Sequence, residues 1–170
     1  MHHTHAVSLL ADTLKVLLTG TIEDHNLAEI LEMDLEQHHH EANLVPNAIA
    51  VVGDGMPAFG IVAAVLGVII TMGAIGGPPA EIGAKVAAAL VGTFVGILLC
   101  YGLFGPIAKA IEMRVSSEHA YLMCIKTALL SFARGDAPMT AVEFARRNIE
   151  PGDRPTFGEL EELAKAAKAA

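Results

Sequence analysis

The chain has no tryptophan, two tyrosines and six phenylalanines among its 170 residues. Without tryptophan, and with an aromatic content of 5%, it offers no stacking platform for bases. No stripe of Lys and Arg marks a nucleic-acid face either. Cysteine is scarce. Cys100 and Cys124 fall on what reads as one helix or its extension, too far apart to bridge, so two free thiols are expected, as suits a cytoplasmic or intramembrane setting. Residues 1–11 carry His2, His3 and His5 but no Lys or Arg, and lack the basic and apolar regions of a signal peptide. No role is assigned to these histidines. No nucleophile–base arrangement and no phosphate-binding glycine loop stand out, so neither an enzyme nor a cofactor is expected.

The absence with the largest consequence is of charge. Residues 55–80 contain no Asp, Glu, Lys or Arg, and neither do residues 86–108. A bilayer core of roughly 30 Å needs about 20 helical residues, and both runs exceed that. With 53% apolar residues and a mean hydropathy of +0.49, the chain reads as an all-α integral membrane protein with one transmembrane helical hairpin. The two runs would otherwise be a pair of buried core helices, an arrangement soluble cores rarely need back to back. Insertion would use the runs themselves.

The rest of the chain sorts around this hairpin. No segment alternates with period two for long, so no strand is expected. The net charge of −8 lies almost wholly in residues 1–54, while residues 109–170 balance to zero. Three regions follow: residues 1–54, helical; 55–108, the hairpin, with spans near 56–75 and 85–107 and a turn at 76–84; and 109–170, a helical tail. In the first, Leu9, Leu10, Leu14, Leu17 and Leu18 predict a helix over 5–19 ending at Gly20. Asn26 with Glu29 predicts the start of a second helix, and Pro46 a break or kink in it. Gly76, Gly77, Pro78 and Pro79 punctuate the hairpin. Beyond it, Ile111, Val115, Leu122, Ile125, Leu129 and Phe132 continue a helical period up to Gly135. Thr140 with Glu143, and Thr156 with Glu159, read as capping boxes for helices near 140–149 and 157–168, with a frayed end from Ala164. Lys109 and Arg114 on one side against Lys85 on the other favour both ends in the cytoplasm.

Inside the spans the polar inventory is Thr71, Thr93, Cys100 and Tyr101. A proton or sodium path needs a titratable or coordinating group. None is present, so an ion pathway here would take its carboxylate from a partner. Gly92 and Gly96 on the second span, and Gly60 and Gly67 on the first, are helix-packing positions, either within the hairpin or against partner helices. The Thr93 hydroxyl could bond back to the preceding turn, or to a partner or water. Tyr101 could be an interface anchor. Pro57 stands where the first span begins, a position that tolerates proline, and Pro106 should kink or break the second span. His38, His39 and His40 are consecutive and point to different faces. A pair such as Glu36 and His40, at i and i+4, is geometrically possible, but without a second pair no metal site is expected.

Two segments carry a resemblance. PAFGIVAAVLGVIITMG (57–73) and VGTFVGILLCYGLFGP (91–106) resemble the third and fourth transmembrane helices of the motility protein A (MotA) family, within the MotA/TolQ/ExbB superfamily. AVEFARR (141–147) and RPTFGELEE (154–162) resemble its cytoplasmic tail, and residues 11–46 the end of its large cytoplasmic loop. The resemblance implies a flagellar stator subunit of the cell inner membrane. Such subunits form a homo-oligomeric ring around a MotB-like subunit that brings an intramembrane Asp, and ion flow, most simply of protons, turns the ring against the flagellar rotor. It also implies that Pro57 and Pro106 couple ion flow to movement and that Thr93 and Tyr101 line the ion pathway. The family has four spans and a longer loop carrying rotor-contacting charges. This chain is therefore expected to be a truncated product, the second half of a split gene or a partial sequence. An ExbB/TolQ-type energising subunit, or a non-functional membrane fragment, is the alternative.

Overall fold

The computed structural model describes residues 2–20, 24–73 and 75–169. Ala74, at the end of the first expected span, lies outside them, as do the side chains of His2 and His3. The described residues are helical almost throughout: α1 (His2–Thr19), α2 (Asp24–Met72), α3 (Pro79–Leu99), a π-helical segment (Cys100–Phe104), α4 (Gly105–Ala133), α5 (Pro138–Arg147) and α6 (Phe157–Ala169). They form two compact units, residues 41–114 and residues 1–40 with 115–170. The expected boundaries near 54 and 108 fall inside α2 and α4, because both helices extend well beyond the uncharged runs.

The unit of residues 41–114 is an antiparallel hairpin. The α2 helix runs unbroken through Pro46 and Pro57, so Pro46 does not end it and Pro57 lies in its interior rather than at a helix start. Each proline removes one backbone donor and crowds the carbonyl four residues earlier, a cost transmembrane helices tolerate when neighbouring elements satisfy the freed groups. The turn is shorter than expected. Pro78 is extended (φ −61°, ψ 140°) and Pro79 occupies the first position of α3, where its missing N–H costs nothing. The α3 helix therefore starts six residues before Lys85, and Glu81 and Lys85 pair within it at 2.9 Å. Most of the apolar surface is uncovered: Phe59 is 70% exposed and Phe94 66%. A soluble core would bury such a surface; this one needs lipid or partner helices.

The other unit has a leucine core. Leu27, Leu31 and Leu35 form one i, i+4 ridge on α2, buried with Ala6 and Leu9 of α1 and Leu122 of α4. Each such leucine contributes about 1.5–3 kcal/mol by leaving water. Lys126 of α4, with a side chain only 8% exposed, pairs with Glu32 of α2, and burial lowers its pKa. The α4 helix ends in a Schellman turn. Gly135 takes φ +82°, its N–H reaches the Phe132 carbonyl at 3.0 Å, and the Asp136 N–H reaches Ser131 at 3.2 Å.

The two expected capping boxes part company. At α6 the box forms: the Thr156 N–H donates to Glu159 Oε2 at 2.7 Å and the Glu159 N–H to Thr156 Oγ1 at 3.3 Å. The α6 helix then continues to Ala169, past the expected fraying point. At α5 the box does not form. Pro138 sets the first turn and Ala137 is the cap, while Glu143 is claimed by Arg146 at 2.6 and 2.7 Å and by Arg147 at 2.8 Å. Hydrogen bonds from Arg146, then Arg147, hold the Glu143 carboxyl at about 2, against an ordinary 4.5. The pairing's contribution is therefore complete above 4.5 and fades as pH falls toward 2. Carboxyl NMR of Glu143 should show a midpoint near 2, returning toward 4.5 in Arg146→Gln. A wild-type midpoint already near 4.5 would mean that the pairs do not persist in water.

Candidate functional site in the membrane hairpin

The centre of the hairpin is a seam of residues too small to keep backbones apart. Gly53, Gly60 and Gly67 recur every seventh residue on α2, a spacing that keeps one stripe facing its neighbour. A β-carbon on Gly53 would lie 2.8 Å from Phe104 Cβ, and one on Gly60 would lie 2.8 Å from the Gly92 carbonyl oxygen and 2.9 Å from Thr93 Cα. At Gly67 it would collide with Ala89. Seen from α3, a β-carbon on Gly92 would meet Ala63 Cβ at 2.9 Å, and one on Gly96 would meet the Met56 carbonyl oxygen at 2.5 Å and Pro57 Cα at 3.4 Å. The glycines at 60, 67, 92 and 96 thus pack the hairpin against itself. The heptad spacing that adds Gly53 was readable in the sequence; that Ala89 of α3 lies opposite Gly67 was not.

Thr93 uses this closeness. Its hydroxyl donates to the Gly60 carbonyl across the seam at 3.1 Å, rather than back along its own helix. Thr71 does bond back, to the Gly67 carbonyl at 2.7 Å. Tyr101 has different surroundings. It lies in the π-helical segment and is 74% exposed, beside the buried Cys100. The Thr93 hydroxyl is thus engaged inside the seam, while the Tyr101 ring is presented outward.

Pro106 explains the π turn. It has no N–H to give the Gly102 carbonyl, and its ring would strike that carbonyl in a regular α-helix. The chain widens instead: the Gly105 N–H reaches Cys100, five residues back, and the helix takes up one extra residue. The expected kink at Pro106 is thus a local π widening of an otherwise continuous helical path, a form the sequence did not specify. Pro57 stands one turn after Gly53 on α2, and Pro106 two residues after Phe104 on the opposing helical arm. The two prolines therefore bracket the Gly53–Phe104 contact along the hairpin.

This arrangement can pack closely, flex at a defined turn and present hydroxyls. It supplies no proton-carrying side chain, since the uncharged runs hold no Asp, Glu, Lys, Arg or His. Among the described residues, no group of three or more His, Cys, Asp or Glu could hold a metal ion.

Comparison with known proteins places this geometry. The profile of the MotA/TolQ/ExbB proton channel family matches residues 4–123. Motility protein A of Escherichia coli (strain K12) is 40% identical over 162 residues, covering 95% of this chain and 55% of that protein. Chemotaxis protein LafT of Vibrio parahaemolyticus is 36% identical over 155 residues, covering 91% and 54%. A chain of the C. jejuni MotAB structure superposes with a TM-score of 0.76 at 22% identity, over 87% of this chain and 58% of that one, a likeness of fold. The chain spans about half the length of the curated relatives it matches.

Proposed function

The chain belongs to the MotA/TolQ/ExbB proton channel family, and from that premise we propose that it is a flagellar motor stator subunit. With a MotB-like subunit it forms a transmembrane proton channel and converts ion flow into flagellar rotation. The observation that carries this reading is the hairpin itself: a close-packed helix pair with hydroxyls, a proline-set π turn and no Asp, Glu, Lys, Arg or His in its uncharged runs. Such a pair needs a carboxylate from elsewhere to move a proton. A MotB-like partner supplies it, as the complex in the matched structure suggests.

In this reading Pro57 and Pro106 couple ion flow to helix movement. Tyr101, open on the outer face of the π turn, and Thr93, within reach through the seam, line the pathway. The uncovered faces bearing Phe59, Phe94 and Leu98 meet lipid, neighbouring copies in a ring and the partner's helix. The protein sits in the inner membrane with both ends in the cytoplasm, the side on which Lys109 and Arg114 lie. Torque reaches the flagellar rotor through cytoplasmic charges.

The test is rescue of swimming in a strain lacking its motility protein A. This chain is expressed alone, and together with the part of a relative that it does not match, supplied as a separate polypeptide. Restored swimming in either case, with co-purification of the MotB-like subunit, is the expected result. A chain present in the membrane that never binds that subunit and never restores swimming would overturn the reading. Rescue of outer-membrane uptake instead would move it to the energising branch of the family.

A further inference from the structure

Outside the hairpin, in the unit of residues 1–40 and 115–170, four imidazoles from three helices meet in two pairs. His5 of α1 stacks on His38 of α2, with ring centroids 4.0 Å apart and planes 15° from parallel. His39 of α2 meets His119 of α4 at 4.4 Å, tilted by 44°. Because His38 and His39 are consecutive, they leave α2 in different directions, so α2 gives one ring to each neighbouring helix. All four rings are half-buried. The Nε2 of His5 and the Nδ1 of His119 are shut off from solvent with no hydrogen-bond partner.

The charges around them come from all three helices. Asp34 of α2 stands 4.0 Å from His5 Nε2. Asp12 of α1 is occupied by Lys15 at 2.9 Å. Glu36, His40 and Glu41 flank the rings along α2, and Glu118 adjoins His119 on α4. Glu32 is paired with the buried Lys126, two turns further along the seam between α2 and α4.

Neutral rings at these distances attract one another. Two imidazolium rings repel, and a charged ring carries a donor on both nitrogens, so His119 Nδ1 would become a buried donor without an acceptor. We propose that the His39–His119 pair is a proton-operated latch: neutral rings clamp α4 onto α2, and acidification releases it. The His119 pKa is lowered from 6.5, first by burial and then by His39 and His38. The unfolded chain therefore binds more protons than the packed one just below 6.5. The clamp is strongest above that value and weakens as pH falls through the lowered one. That the protons sensed are those delivered by the ion pathway rests on the stator reading; the latch does not.

The test is amide hydrogen exchange of the whole chain in lipid nanodiscs at about pH 7.5 and about pH 5.5, a window that spans histidine titration, with rates normalised for intrinsic chemistry. Peptides from residues 115–125 should exchange roughly 10-fold faster at the acid pH, and peptides from α3 should not change. His119→Phe should remove that response, because phenylalanine keeps the ring contact and cannot take a proton. Equal normalised exchange in the wild type at both pH values would overturn the proposal without any variant. So would acid loosening of residues 115–125 that persists in His119→Phe. Swimming is not read here, so failure of the latch and failure of the stator reading are separable.

Discussion

Gly60→Ala is expected to cost the hairpin about 1–3 kcal/mol net of the helix propensity that alanine gains. The added methyl would stand 2.8 Å from the Gly92 carbonyl oxygen and 2.9 Å from Thr93 Cα. Both are backbone atoms, which cannot rotate aside as a side-chain tip would. The helices must part, and overpacking of this kind costs about 1–3 kcal/mol. Parting also stretches the hydrogen bond from Thr93 to the Gly60 carbonyl, 3.1 Å at present, worth on average about 0.6 kcal/mol in membrane proteins. Gly83→Ala is the matched control. It lies on α3 and its β-carbon would meet nothing within 4 Å, so it should gain up to about 1 kcal/mol from helix propensity. Reversible unfolding of both variants in bicelles, by steric trapping or by force, gives the comparison. Equal stability of the two would show that the glycine seam does not hold the hairpin.

What could be read from the sequence depended on how local the cause was. The uncharged runs were legible because the bilayer demands length and apolarity and nothing subtler. The Thr156–Glu159 box was legible because both partners lie within one turn. The Thr140–Glu143 box obeyed the same rule and failed, because Pro138 fixed an earlier start and two arginines competed for Glu143. The prolines were legible as punctuation but not as geometry. Pro46 and Pro57 stay inside one helix because neighbouring elements can offset a missing donor, and Pro106 is absorbed by a π turn. The seam was half legible: glycine spacing marks a stripe, but which residue of α3 faces Gly60 depends on hairpin register. The histidine pairs were not legible at all, since His5 and His119 meet α2 from helices on either side of it in the sequence. The proposed function rests on resemblance, for the uncharged runs hold no Asp, Glu, Lys, Arg or His that would carry an ion.

The largest functional effect is expected at Pro106. In a strain where this chain supports swimming, Pro106→Leu should abolish torque while membrane level and binding of the MotB-like subunit stay within about two-fold of wild type, since surface-like changes away from packed positions cost little. Pro106 is exposed, so leucine meets no crowded neighbour. What leucine changes is the backbone, because it restores an N–H. The segment now held by the Gly105 N–H reaching Cys100 can then close into regular α-helix with a bond to the Gly102 carbonyl. Closing the π turn re-registers the residues of the turn itself, by up to roughly 100° and about 1.5 Å. Phe104, which fills the space opposite Gly53, would turn away from the seam, and Tyr101 would leave its present outward position. A coupling device that depends on a defined turn cannot survive that rotation, whereas the glycine seam from Gly60 to Gly67 lies before it and is untouched. Swimming speed, membrane abundance and co-purification measured on the same cells separate the outcomes. Normal swimming of Pro106→Leu would remove the π turn from the mechanism, and loss of the protein from the membrane would make Pro106 a folding residue rather than a coupling one.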